Sequence, residues 1–177
     1  MLKIVLGVIL VAIIAVLGLA ASKPNTFVVK RSIVIKAPPE RLVAMVDDFH
    51  RWRAWSPWEK IDPNMSRAYE GPASGVGAAY GWSGGGKVGA GRMEVKSVTA
   101  DREVLIQLDF LKPFKASNLA RFTFAPEADG TRVTWSMEGK SPFISKLMGL
   151  VFNMDQAIGG DFEKGLGEMK AQVERPA

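Results

Sequence analysis

The chain of 177 residues has no cysteine and a single histidine. Disulfide scaffolds, thiolate nucleophiles, cysteine-ligated zinc and iron–sulfur clusters are excluded, and His50 alone cannot supply a multi-histidine metal site. No metal or other cofactor is expected. Acidic residues are missing from the whole N-terminal stretch: Lys3, Lys23, Lys30, Arg31 and Lys36 all precede the first of them, Glu40. The net charge of +5 is therefore local, and from residue 37 onward 18 basic residues face 18 acidic ones. A neutral body with a basic neck argues against a phosphate-tracking surface. No nucleic-acid partner is expected, and the electrostatic role left for the neck is contact with anionic lipid head groups.

The first segment also lacks charge for a long run. From Ile4 to Ser22 only Ile, Leu, Val, Ala and Gly occur before the final serine. About 18 apolar residues span roughly 27 Å as a helix, enough to cross the hydrocarbon layer. Residues 1–22 are read as a single-pass transmembrane anchor. A secretory signal peptide is the alternative, because Lys3 makes a short basic start and Leu19-Ala20-Ala21-Ser22 offers small residues for cleavage. Signal cores usually run roughly 7–15 residues, which favours the anchor. The side of the membrane stays open, since a long domain translocates largely regardless of its charge.

Residues 23–26 read as a linker and 27–177 as one domain. Phe27 to Lys36 alternates as a strand, with Phe27, Val29, Ile33 and Ile35 on one face. Ala37-Pro38-Pro39-Glu40 stops it and opens a helix that turns Leu42, Val43 and Val46 to one side. Asp47 to Trp55 reads as a short helical or turn segment. Strands are then expected near Arg67–Glu70, Gly77–Trp82, Arg92–Val98, Glu103–Phe110, Ala116–Ala125 and Thr131–Glu138, with Asp129-Gly130 as a hairpin turn. Ile144, Leu147, Met148 and Val151 mark a short helix. Ile158, Phe162, Leu166, Met169 and Val173 form the apolar stripe of a longer one. Short connections between consecutive strands mean an antiparallel meander, and the stripe has to bury itself against that sheet. The fold class is α+β, a curved antiparallel sheet wrapped around a long C-terminal helix.

Particular residues carry a family resemblance. Lys30-Arg31-Ser32-Ile33-Val34-Ile35-Lys36-Ala37-Pro38-Pro39-Glu40, then Trp52, Trp55-Ser56-Pro57-Trp58-Glu59-Lys60, Gly75-Val76-Gly77, Gly130-Thr131 with Val133-Thr134-Trp135, and Phe162-Glu163-Lys164-Gly165-Leu166 resemble the polyketide cyclase/dehydrase-like branch of the START-like (SRPBCC) superfamily. The resemblance covers nearly everything after residue 27. It implies a helix-grip fold with a deep apolar pocket between sheet and helix. It implies no single activity, because this scaffold serves lipid carriers, hormone receptors, aromatic cyclases, hydroxylase subunits and chaperone activators alike.

Two glycine patterns imitate nucleotide chemistry. Gly81 through Lys87 reads GxxxxGK, but Val88 stands where a P-loop needs Ser or Thr for magnesium, and no helix follows. Gly84, Gly86 and Gly89 satisfy GxGxxG with the same helix missing, so a glycine-rich hairpin between strands is the better account, with one lip of a pocket entrance as the lesser reading of the same segment. His50, flanked by Asp47, Asp48, Arg51 and Arg53, reads as exposed.

The pocket candidates are Trp55 and Trp58, two indoles three residues apart, with Met93, Val133, Trp135 and Met137 from strands and Ile158, Phe162, Leu166 and Met169 from the last helix. Val104, Ile106, Leu108 and Phe110 share one strand face, and Gln107 and Asp109 the other. The leading functional reading is a membrane-tethered binding module for an apolar or amphipathic small molecule, a lipid or an aromatic metabolite, without covalent chemistry. The enzyme alternative is a cyclase or dehydratase in which a pocket carboxylate moves protons, Glu59 first and Asp109 second. A third class is a stress-response or interaction domain with a vestigial pocket.

Overall fold

The computed structural model describes residues 1–86 and 88–175. An apolar helix α1 (Leu2–Ser22) precedes strand β1 (Thr26–Ile35). Pro39 then opens α2 (Pro39–Val46), which buries Leu42, Val43 and Val46. A 3₁₀ turn over Phe49–Arg51, held by a bond from His50 N to Asp48 Oδ1, runs into α3 (Trp52–Trp55). A second 3₁₀ turn occupies Pro57–Lys60.

Six strands follow: β2 (Ser66–Glu70), β3 (Ala79–Ser83), β4 (Ala90–Thr99), β5 (Glu103–Lys112), β6 (Ala116–Glu127) and β7 (Gly130–Lys140). The chain closes with α4 (Phe143–Met148) and α5 (Met154–Val173). Val151, expected in the penultimate helix, lies beyond it, because α4 stops at Gly149 and a loop carries the chain on to Asn153, the N-cap of α5. The third strand starts at Ala79, two residues later than expected, because Gly75 and Gly77 hold positive φ and shape a turn there.

All seven strands form one antiparallel sheet in the order β1-β7-β6-β5-β4-β3-β2, so the first strand returns to pair with the last. Residues opposite one another across this sheet share a face, and the inner face can be followed row by row. One row runs Val133, Phe124; the next Trp135, Phe122, Val104; the next Met137, Ala120, Ile106, Val95. Toward the β5–β6 hairpin come Tyr80, Met93, Leu108 and Asn118, and then Trp82, Gly91 and Phe110.

The first rows are packed solid. Val133, Phe122, Val104, Ile106 and Val95 are inaccessible to solvent, and the C-terminal half of α5 closes on them with Leu166, Met169 and Val173. The last rows have no such lid over them. Helix α5 is anchored to the sheet by Arg31 of β1, whose guanidinium crosses the helix at Gly159 and pairs with Asp155 and Glu163 at 2.9 and 2.7 Å. A Cβ at position 159 would occupy the space of that guanidinium.

Candidate functional site

Where the solid packing ends, a cavity of about 1270 Å³ opens between the hairpin end of the sheet, the N-terminal half of α5 and α4. Its inner wall is aromatic. Trp135 stacks on Phe162 with centroids 4.1 Å apart and planes 6° from parallel, and Trp58 stands edge-on to both at 88° and 90°. Trp52, which also borders the cavity, and Trp55, buried behind it, meet Trp135 edge-on. Such offset and T-shaped pairs align ring edges with ring faces and give a stiff partition. The indole N–H of Trp55 donates to Met45 O at 2.9 Å and that of Trp52 to Val46 O at 2.8 Å. The Trp135 N–H is buried without a partner among the described residues.

Several expected pocket residues border the cavity: Trp58, Met93, Trp135, Met137, Ile158 and Phe162. The others are placed elsewhere. Trp55, Val133, Leu166 and Met169 are buried in the core behind the aromatic partition and are not among the lining residues. The reason is an offset along α5. Ile158 and Phe162 lie over the open rows of the sheet, whereas the same stripe two turns later lies over the packed rows.

Lining residues that sequence reasoning passed over include Ser56, Tyr80, Trp82 and Asn118. Leu108 and Phe110, on the apolar face read from the alternation of β5, line it as well, whereas Val104 and Ile106 of that face are in the solid core. Trp82 enters because Gly91 opposite it has no side chain: a Cβ there would strike the indole, which instead reaches across to Phe110 at 5.9 Å. Val88 brings the glycine-rich β3–β4 hairpin to the cavity wall. In the GxxxxGK segment, Gly81 to Ser83 belong to β3 and Gly84 N bonds Gly89 O across a turn, while Lys87 lies outside the described residues.

The charged station of the inner cavity is Glu59. Its side chain is 7% exposed and accepts from Arg67 Nε at 2.7 Å and from the Tyr80 hydroxyl at 2.5 Å. Arg67 also donates to Met65 O at 2.8 Å. Burial, and then the bond to Glu59, push the Tyr80 phenol far above its usual range, so it stays a donor. Both carboxylate oxygens are therefore engaged by charge-assisted or phenolic donors. Asp109 is not a lining residue: it accepts from Ser117 Oγ at 2.7 Å and from Gln107 Nε2 at 2.8 Å. His50 is exposed, accompanied by Asp48 at 3.0 Å and stacked on Tyr69 at 4.0 Å. Among the described residues no group of three His, Cys, Asp or Glu side chains is placed to hold a metal ion.

A curved seven-stranded sheet closed on a C-terminal helix around an apolar cavity defines a helix-grip protein, a fold suited to hydrophobic ligands. Its family is given by the sequence over residues 26–174, which match the model described as polyketide cyclase / dehydrase and lipid transport, and the chain belongs to that family. A comparison with curated protein sequences finds no match.

Among solved structures, protein CV1439 from Chromobacterium violaceum is similar at 16% identity and TM-score 0.60, covering 87% of this chain and 100% of that one. The di-domain ARO/CYC BexL of the BE-7585A biosynthetic pathway is similar at 16% identity and TM-score 0.63, covering 90% of this chain and 54% of that one. The Aha1 dimer from Colwellia psychrerythraea is similar at 16% identity and TM-score 0.59, covering 84% and 96%. At these identities the likeness shows the fold alone. Helix α1 lies before the matched region and is long and apolar enough to cross a membrane.

Proposed function

We propose that this protein is a membrane-tethered binding module that takes up an apolar or amphipathic small molecule, a lipid or an aromatic metabolite, without covalent chemistry. The observation that carries the reading is the cavity itself: about 1270 Å³, walled by Trp58, Trp82, Met93, Trp135, Met137 and Phe162. Ligand pockets ordinarily occupy roughly 300–1,000 Å³, so this space accepts an acyl chain or several fused rings. A void of that size in a vestigial domain would cost stability without return, because unfilled apolar space forfeits packing. Methionines on the wall adapt to irregular ligands. Residues 1–22 supply the tether, 23–26 the link and 27–177 the binding domain.

The family also supports a cyclase or dehydratase reading, and Glu59, like Asp161, is a carboxylate on the wall. Binding without chemistry is favoured because Arg67 and Tyr80 already hold both of its oxygens. A polyketide substrate turned over with a pH profile that Glu59→Gln abolishes would reverse this preference.

The test is mass spectrometry of apolar molecules released on unfolding the purified full chain, together with titration of a solvatochromic apolar probe. Met137→Ala, on the wall, is expected to weaken the probe, and Met169→Ala, in the core, to cost stability while leaving probe affinity within about twofold. Absence of both a released molecule and probe binding would overturn the proposal.

A further inference from the structure

We propose that the mouth of the cavity docks on the bilayer that α1 crosses, with α4, the loop after it and the β5–β6 hairpin lying in the lipid interface. The inference rests on the reading of the cavity as a ligand site and of α1 as its tether.

The first observation is where apolar surface is left uncovered. Beyond residue 22, the large apolar residues exposed among the described ones are eleven, and eight of them fall in two short segments, 111–114 and 143–152. Phe114 is 78% and Val151 95% exposed, with Phe143, Ile144, Met148 and Phe152 beside it on the second segment. Phe114, Ile144 and Met148 also line the cavity, so the patch is its rim. An exposed apolar rim around an apolar cavity needs a partner surface, because water is a poor neighbour for both.

The second observation names the partner. Helix α1 is seated on α4 at its domain end: Ala20, alone in α1, is buried, and the linker is tied down by polar bonds. Lys23 Nζ donates to Gly149 O at 2.5 Å, Lys146 Nζ to Asn25 Oδ1 at 2.7 Å and Ser141 N to Asn25 O at 2.7 Å. A membrane span that ends in this clamp delivers the bilayer surface to the rim and to no other part of the domain. Charge agrees with that surface. Residues 110–118 and 140–154 contain the exposed Lys112, Lys115 and Lys140 and no acidic residue, the pattern that favours anionic head groups; Lys146, buried, serves the clamp instead. Apolar side chains flanked by lysines are the composition of an interfacial segment.

The absence of cysteine makes the test clean. Phe114→Cys, Val151→Cys and Asp129→Cys are each labelled with an environment-sensitive fluorophore on the full chain in nanodiscs of phosphatidylcholine and phosphatidylglycerol. Asp129 sits in the turn at the far end of β6, about 40 Å from the hairpin for a strand of 12 residues. Labels at 114 and 151 are expected to shift to the blue, lose emission to nitroxide-bearing lipid and resist iodide, and the label at 129 to do the reverse.

Iodide access at 114 and 151 with no quenching by lipid would overturn the docking. Shielding from both quenchers would overturn it too, since it would mean a protein partner or a second copy on the rim. Apolar molecules released on unfolding are measured on the same preparation. Molecules released with water-exposed labels would sink the docking alone, and docked labels with nothing released would support the docking while counting against the ligand reading.

Discussion

The indole of Trp135 lies flat on the ring of Phe162, and this stack is the boundary between the solid half of the domain and the hollow half. On one side Trp55 and Phe122 press on Trp135 at 5.5 and 4.8 Å; on the other the cavity begins. A binding site on this scaffold needs such a boundary, because side chains left free to relax would collapse into the void.

Phe162→Ala is expected to cost about 3–5 kcal/mol, the range for truncating a buried aromatic. It also removes the support of Trp135, so an apolar probe should bind less tightly and with broader emission. Urea denaturation and probe titration check the two effects. A loss below about 1 kcal/mol would show that the partition is not stiff.

The Glu59 cluster makes a pH prediction. The folded state holds the Tyr80 proton more tightly than the unfolded chain, whose phenol titrates near 10.0. Stability is therefore full below that pH and falls as pH rises above it, because the unfolded state then binds fewer protons than the folded one. Tyr80→Phe is expected to flatten the alkaline loss, leaving the part due to Tyr69, whose phenol burial also pushes up. Arg67→Met, which leaves a buried carboxylate without its cation, is expected to cost about 3 kcal/mol at neutral pH. Urea unfolding across the alkaline range measures both.

Gly159 and Arg31 form a testable pair. Glycine inside a helix costs about 1 kcal/mol relative to alanine, yet a Cβ at 159 would displace the Arg31 guanidinium from Asp155 and Glu163. Both carboxylates are more than half exposed, so the lost ion pairs are worth little each. Gly159→Ala is expected to be near neutral in the natural chain and stabilising by up to about 1 kcal/mol in an Arg31→Ala background. A thermal double-mutant cycle reads the coupling.

The N-terminal segment predicts fractionation. The full chain is expected in the membrane fraction after carbonate and salt washes, with its N-terminus still ahead of Leu2 or at it. Edman or mass-spectrometric detection of a mature start at Ser22 or Lys23 would replace the anchor by a cleaved signal peptide.

Much of this architecture was legible before any coordinates. An uninterrupted apolar run, period-two alternation in β1, β5 and β7, Pro39 at a helix start and the stripe from Ile158 to Val173 are local patterns, and local patterns report which face of an element is apolar. They do not report what stands opposite. Leu166 and Ile158 belong to one stripe, yet the offset of α5 along a curved sheet puts the first in the solid core and the second on the cavity wall. Arg67 and Tyr80 converge on Glu59 from two strands whose register no local spacing encodes. Trp82 reaches the cavity only because its cross-strand neighbour is Gly91, and the exposed rim matters only because Lys23 and Asn25 bind α4 and its loop beside it. The sequence by itself determined the elements and their buried faces, since these follow from hydrophobic periodicity. Tertiary structure decided which buried face is solid and which is hollow, since a cavity is a property of two surfaces and of the distance between them.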